Sequence, residues 1–240
     1  QQRLRTQVMR ADRLAALGEL VAGLAHEVRN PLTSIRGFMQ FLESSDDVAE
    51  WQRYAPLIVR QVDSLNRLVT ELLEFGRPRP PAFLPVQLND LIREVSLLAG
   101  RKSNARIALH PAPDLPPVEA DGEALKQVML NLIINAIQAT SETGSIAIAI
   151  ATALAGDGQE VAGEAVVTVT DDGEGIAPEN LDKVFDPFFS TKPQGTGLGL
   201  AMAHRIVDAH HGTIAIASVP GAGTTVTLRI PILHNRAVEA

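Results

Sequence analysis

From Leu14 the apolar positions run Leu14, Leu17, Val21, Leu24, Val28, Pro31, Ile35, Phe38 and Leu42, in steps that alternate three and four without a miss. That spacing is the heptad signature of a helix burying a narrow seam against partner helices, and it leaves few other ways to fold this part of the chain. At 1.5 Å per residue, a helix from about Leu4 to Glu43 would reach roughly 60 Å, too long for one short neighbour to cover. Ser44 to Asp47, SSDD, reads as a turn whose side chains can cap a following helix. A second seam follows at Trp51, Tyr54, Ile58, Leu65, Leu68, Leu72 and Phe75, with Gln61 taking one seam position beside Val62. Pro56 marks ragged first turns or a bend in that helix. A hairpin with one apolar stripe per helix cannot bury both stripes by itself, so two copies are expected to form a dimeric four-helix bundle.

Arg77 to Pro85, RPRPPAFLP, cannot continue a helix. The expected organisation is therefore a helical hairpin at 1–76, a Pro-rich linker at 77–86, a second domain at 87–233 and a C-terminal tail at 234–240. The second domain reads as a helix near Leu88 to Arg101, a strand near Arg106 to Leu109 and a Pro-rich turn through Pro117. A buried helix is expected from about Gly122 to Thr140, then strands near Ser145 to Ala153 and Ala165 to Thr170. A glycine-punctuated stretch, Gly173 to Gly199, leads to a helix ending near His211 and to strands near Thr213 to Ser218 and Thr225 to Ile230. Helices and strands in this order predict a two-layer α/β sandwich.

Composition narrows the function. The 240 residues are 45% apolar, enough for a sizeable core, and the net charge of -7 disfavours nucleic acid as the main partner. The absence of cysteine excludes disulfides and thiolate metal sites and is compatible with a reducing cytosol. No apolar run is long enough to cross a bilayer, and the opening QQRLRTQVMRADRL is too charged for a secretory signal. A chain that opens in helix pattern implies an upstream input region. Arg3, Arg5, Arg10 and Arg13 suit either a membrane surface or a solvated coil entry.

Three stretches of the second domain bear chemistry. Asn131 and Asn135 stand one turn apart on the same face of an apolar helix. Two amides there need partners: a hydrated Mg²⁺ carrying phosphates, which prefers oxygen ligands, or neighbouring backbone. Asp171, Gly173 and Gly175 lie in TVTDDGEGI at a strand end. A carboxylate fixed there can accept a hydrogen bond from an exocyclic amine such as that of adenine, while glycines let the backbone approach a flat ring; a plain turn is the alternative. Gly195 to Gly199, GTGLG, opens a helix whose first N–H groups suit phosphate.

In the first domain AHEVRNPL, Ala25 to Leu32, places His26 two residues past the seam position Leu24, within reach of solvent. Much imidazole is neutral near pH 7, leaving one ring nitrogen as a nucleophile, and Glu27 can take the proton from the other as that nitrogen attacks an electrophile; a structural or merely solvated histidine is the alternative. Asn30, one turn on, can orient a water or be a surface amide with no role. Pro31 lacks an N–H and releases a carbonyl from its helix bond, so the turn that carries His26 is a predicted weak point able to bend.

In order and spacing these stretches resemble the asparagine box and the two glycine boxes of the ATP-binding fold shared by histidine kinases, DNA gyrase, the Hsp90 chaperones and MutL-type repair ATPases. FDPFF, Phe185 to Phe189, resembles the kinase phenylalanine box in the lid over the nucleotide, and GAGTT, Gly221 to Thr225, the final glycine box. With HEVRNPL, the resemblance covers nearly the whole chain and is to the catalytic core of a two-component sensor histidine kinase, nearest to the nitrogen-regulation and acetoacetate-sensing type. It implies an α + α/β architecture: a dimeric helical hairpin followed by a sandwich of the Bergerat type.

The resemblance further implies ATP and Mg²⁺, with Asn135 as the metal ligand and Asn131 beside it. It makes Asp171 the adenine reader, with Thr225 helping through water and Gly173, Gly175 and Ile176 beside it. Lys192 is a candidate for the phosphate end or a solvated lid charge. Gly195, Thr196, Gly197, Leu198, Gly199 and Leu200 form the phosphate side. It makes His26 the phosphoacceptor, Glu27 the base and Asn30 the water holder of a phosphatase activity on a partner's phospho-aspartate. The implied partners are a second copy and the receiver domain of a response regulator, and the implied location is the cytosolic part of an inner-membrane sensor. Asp172 departs from the family's usual asparagine and Val226 from its usual aromatic residue. An ATP-hydrolysing clamp and a nucleotide-binding scaffold are the competing readings. The clamp relatives carry a glutamate where this chain has Asn131, which cannot act as a base.

Overall fold

The computed structural model describes residues 28–45, 47–76, 81–101, 103–141, 143–154, 163–192 and 195–232. By its contacts the chain divides into two compact units, Gln1–Pro78 with Asp186–Leu198, and Arg79–Phe185 with Gly199–Ala240. His26 and Glu27 lie outside the described residues.

In the first unit, helix α1 (28–43) and helix α2 (Val48–Gly76) flank the SSDD turn. Asp47 makes the turn: its Oδ1 accepts the N–H of Ala49 at 2.8 Å, satisfying one of the orphan donors at the start of α2. The seam positions Pro31, Ile35 and Phe38 are half-buried and Leu42 is buried, while the other residues of α1 from Arg29 on are exposed. Tyr54 joins the helices, with its ring 5.6 Å from that of Phe38 and 5.1 Å from that of Phe41. Pro56 does not break α2, which runs through it. Apolar side chains beside the seam remain exposed, among them Met39, Val59, Val62, Val69 and Leu73.

The second unit is a five-stranded sheet covered on one face by helices. Its strands are β2 (Arg106–His110), β4 (Ser145–Leu154), β5 (Gly163–Asp171), β6 (Thr213–Val219) and β7 (Gly223–Pro231), in the order β2-β4-β5-β7-β6. Only the β2–β4 pair is parallel. Alternation along the strands sends Ile146, Ile148 and Ile150, Val167 and Val169, and Val226, Leu228 and Ile230 to one face. There they meet Leu91, Ile92 and Val95 of α3 (Leu88–Gly100), Leu125, Val128, Met129, Leu132 and Ile133 of α4 (Gly122–Ala139), and Ala203 and Val207 of α6 (Gly199–Ala209). Val226, in the place of the usual aromatic residue, is part of this core. A four-residue helix, α5 (Pro178–Leu181), lies between β5 and α6.

Two strands escape the sequence reading. β1 (Leu84–Val86) pairs antiparallel with β3 (Val118–Ala120), so the last residues of the expected linker are tied into the second unit. Each is three residues long, with Pro85 inside the first and Pro117 just before the second, too short for a period to show. The tie is reinforced by Asp121, the N-cap of α4: Oδ1 accepts from Ala124 N and Oδ2 from Ala82 N, both at 3.1 Å. The Asp121 N–H in turn donates to Nε2 of buried His210 at 2.9 Å, which leaves the ring proton on Nδ1 to donate to Ile206 O at 2.7 Å. Burial pushes the Asp121 carboxyl up, but the N–H groups of Ala82, Ala124 and Glu123 outweigh it and hold the carboxyl below its ordinary value. A depressed folded value means the ionised carboxylate adds stability above the unfolded value of about 3.9, lost as the pH falls through the folded one. Asp121→Ala should therefore cost about 1 kcal/mol at pH 7, as loss of a helix cap does. In urea melts the gap from wild type should shrink as the pH is lowered below about 4.

Candidate functional site

α4 brings Asn131 and Asn135 to one face at the middle of the helix, both half-buried. Asn131 Nδ2 donates to Gly199 O at 3.1 Å, at the first residue of α6, so part of the backbone-bonded alternative holds for this residue. The bond occupies the nitrogen end of the carboxamide, and the oxygen Oδ1 is the atom that would meet a cation. Oxygen donors of this kind fit Mg²⁺, which keeps several waters and takes only one or two protein ligands when it travels with phosphate.

Asp171 ends β5 and is 7% exposed. Two backbone N–H groups hold its Oδ1: Gly173 at 2.9 Å and Thr224 at 3.2 Å. The first comes from the turn after β5 and the second from β7, so the carboxylate is aimed by two separate segments. A Cβ on Gly173 would lie 2.4 Å from Ala139 O, which is why this position must be glycine: the turn passes against the end of α4. Glu174 N donates to that same Ala139 O at 3.2 Å, joining the asparagine helix to the aspartate turn. Gly175 has φ of 72°, and Ile176 N donates to Ser218 Oγ at 2.8 Å.

Strand register decides which threonine stands beside the carboxylate. Asp171 is opposite Thr224 and Thr170 is opposite Thr225. Thr224 is buried on the core-facing side with Asp171, whereas Thr225 lies on the other face, its hydroxyl 3.1 Å from that of Thr170. Thr224, rather than the expected Thr225, therefore neighbours Asp171. The apolar alternation Val226, Leu228, Ile230 carries the signal that would have found it, since Thr224 has the same parity. Ser218 also went unread as a site residue. Asp172 Oδ2 accepts from Ser145 N at 2.9 Å and Ser145 Oγ at 3.0 Å, so this departure from the family pattern fastens the start of β4.

The lid residues belong to Asp186–Leu198 and are organised among themselves. Phe188 N donates to Gly197 O at 3.1 Å, and a Cβ on Gly197, whose φ is 65°, would lie 2.4 Å from Phe188 C. Only glycine meets both demands. Ser190 Oγ accepts from Lys192 N and donates to Lys192 O, and Gly195 N reaches the same carbonyl at 3.1 Å. Thr196 Oγ1 accepts from Leu198 N at 3.4 Å, and Leu198 is buried. Gly199 and Leu200 open α6 in the second unit. On α1, Asn30 is exposed and its carbonyl accepts from Ser34 Oγ at 3.2 Å. Among the described residues no helix is long and apolar enough to cross a membrane.

A pinned carboxylate at a strand end, joined by a glycine turn to a helix bearing two amides, defines an ATP-binding domain. Residues 120–234 match the family described as histidine kinase-, DNA gyrase B-, and HSP90-like ATPase, and residues 16–81 match the His kinase A (phospho-acceptor) domain. The chain belongs to the histidine kinases. It is 45% identical over 225 residues to the signal transduction histidine-protein kinase AtoS of Escherichia coli, covering 92% of this chain and 36% of that protein. It is 42% identical over 239 residues to the sensor histidine kinase ZraS of Escherichia coli, covering 98% of this chain and 50% of that one. The chain thus spans between about a third and a half of these curated relatives. Among solved structures, histidine kinase ThkA in complex with the response regulator protein TrrA is 34% identical with a TM-score of 0.77, over 93% of this chain and 64% of that one. The ThkA catalytic domain alone is 37% identical with a TM-score of 0.53, over 63% of this chain and 96% of that one.

Proposed function

We propose that the chain autophosphorylates on His26 with ATP and passes the phosphoryl group to an aspartate of a response regulator. The observation that carries this is the pairing on one chain of a phospho-acceptor domain that contains His26 with an ATP-binding domain whose Asp171 is fixed by two N–H groups. In the reaction, a neutral ring nitrogen of His26 forms the N–P bond, the bond from the γ-phosphorus to the ADP oxygen breaks, and Glu27 receives the proton of the other nitrogen. Asp171 accepts from the adenine amine, with Thr224 as its neighbour in that role. The N–H groups of Gly199 and Leu200 and the glycines of the lid, with Lys192, take the phosphate side. Asn135 and Asn131 would hold Mg²⁺, which when bound neutralises charge on the phosphates. The protein otherwise contributes position.

Asn30, exposed on α1 and four residues after His26 in sequence, is the residue proposed to orient water in a second, phosphatase reaction on the phosphorylated regulator. The exposed apolar side chains beside the hairpin seam support a homodimer. The working location is the cytosolic part of a membrane-anchored sensor. Incubation with γ-labelled ATP and Mg²⁺ tests the main reading. Acid-labile, alkali-stable label on the protein, followed by its transfer to a receiver domain, is the expected result. Sustained phosphate release with no label on the protein would overturn it in favour of the ATP-driven clamp.

A further inference from the structure

Across three strands at one end of the sheet, Asp171 of β5, Thr224 of β7 and Ser218 of β6 stand in one row, since Asp171 pairs with Thr224 and Thr224 with Ser218 in the strand registers. Ser218 Oγ has three close partners: Ile176 N at 2.8 Å, Gly223 O at 2.9 Å and Thr224 Oγ1 at 2.9 Å. A hydroxyl has one proton and two acceptor lone pairs. The Ile176 N–H can only donate, so it takes one lone pair. The Gly223 carbonyl can only accept, so it takes the proton; pointing that proton elsewhere would set two lone pairs against each other at 2.9 Å. What remains on Ser218 is one lone pair, and the Thr224 hydroxyl must donate to it.

We infer that Ser218 is a positioning residue for base selection, which commits the Thr224 hydroxyl as a donor inside the protein and so leaves only its lone pairs for a nucleotide. This rests on the reading of Asp171 as the adenine contact. With Thr224 so fixed, the base end of the site holds two groups that accept and none that turns to donate. An exocyclic amine, as on adenine, is matched directly or through a water. A 6-oxo group, as on hypoxanthine or guanine, faces acceptors alone. Without the Ser218 hydroxyl, the Thr224 hydroxyl rotates freely and can donate to a 6-oxo group. Ser218 thereby acts on base choice without touching the base.

The test is the ratio of ITP to ATP dissociation constants, measured on the whole 240-residue chain by competition against a fluorescent ATP analogue. In Ser218→Ala that ratio is expected to fall roughly three- to ten-fold, the value of one ordinary hydrogen bond. Thr224→Val should lower it similarly, the double variant should fall no further than either single one, and Ser218→Thr should keep the wild-type ratio. A Ser218→Ala ratio equal to wild type, or equal weakening of both nucleotides, overturns the inference and reduces Ser218 to a structural tie. If Ser218→Ala does not fold, Thr224→Val decides: an unchanged ratio overturns the inference and a lowered one supports it. A wild-type chain that binds ITP as tightly as ATP sinks the adenine reading itself, an outcome separate from the others.

Discussion

His26→Gln should lose all covalent label from γ-labelled ATP while still binding ATP. Glutamine keeps a polar side chain of similar reach but has no nucleophilic nitrogen, since its amide lone pair is delocalised into the carbonyl. Imidazole, with a pKa near 6.5, offers a neutral ring nitrogen at cellular pH and can shed the proton of the other. The proposed base contact Asp171, the amides Asn131 and Asn135 and the start of α6 all belong to the second unit, so the nucleotide dissociation constant should stay within about two-fold of wild type. Label retained by His26→Gln would show a different acceptor, and loss of ATP binding would show that the change has damaged the fold. Regulator phosphorylation should vanish together with the label, because in the proposed reaction the phosphohistidine is its source.

Asp171→Asn should abolish labelling for the opposite reason, with His26 intact and the nucleotide absent. The substituted amide oxygen can still accept from Gly173 N and Thr224 N, which occupy one carboxylate oxygen in the structure, so the turn and the sheet should hold. The other end changes from acceptor to donor and, in the proposed site, meets the adenine amine donor to donor. Losing a hydrogen bond to a charged group costs about 1.5 to 3 kcal/mol, so ATP affinity should fall by roughly 10- to 150-fold or more. A thermal melt within a few degrees of wild type, alongside that loss, separates a binding effect from unfolding. Unchanged ATP affinity would remove Asp171 from the site.

Much of this was legible before any coordinates. The heptad steps from Leu14 to Leu42 needed only side-chain periodicity, and from residue 28 on the seam positions are the least exposed of α1. The helix with Asn131 and Asn135 was visible because it is apolar on most sides, and the long strands because β-branched and small apolar residues alternate in them. β1 and β3 were hidden by their length and prolines. Asp121, the residue before the first of α4, is of a type suited to a helix cap. Its second bond, to Ala82 at a separation of 39 residues, has no local signal.

The sequence by itself determined the two kinds of domain, the family, and the residues able to carry nucleophile, base, amide and carboxylate roles, because these depend on residue type and short-range spacing. Tertiary structure decided which of two adjacent threonines stands beside the carboxylate. Successive residues of a strand point to opposite faces, and only the pairing of β5 with β7 sets Thr224, 53 residues from Asp171, on its side of the sheet. It also brought Ile176, 42 residues away, together with Gly223 and Thr224 of the neighbouring strand around Ser218, and from those three distances the direction of its single proton is inferred, since a carbonyl can only accept.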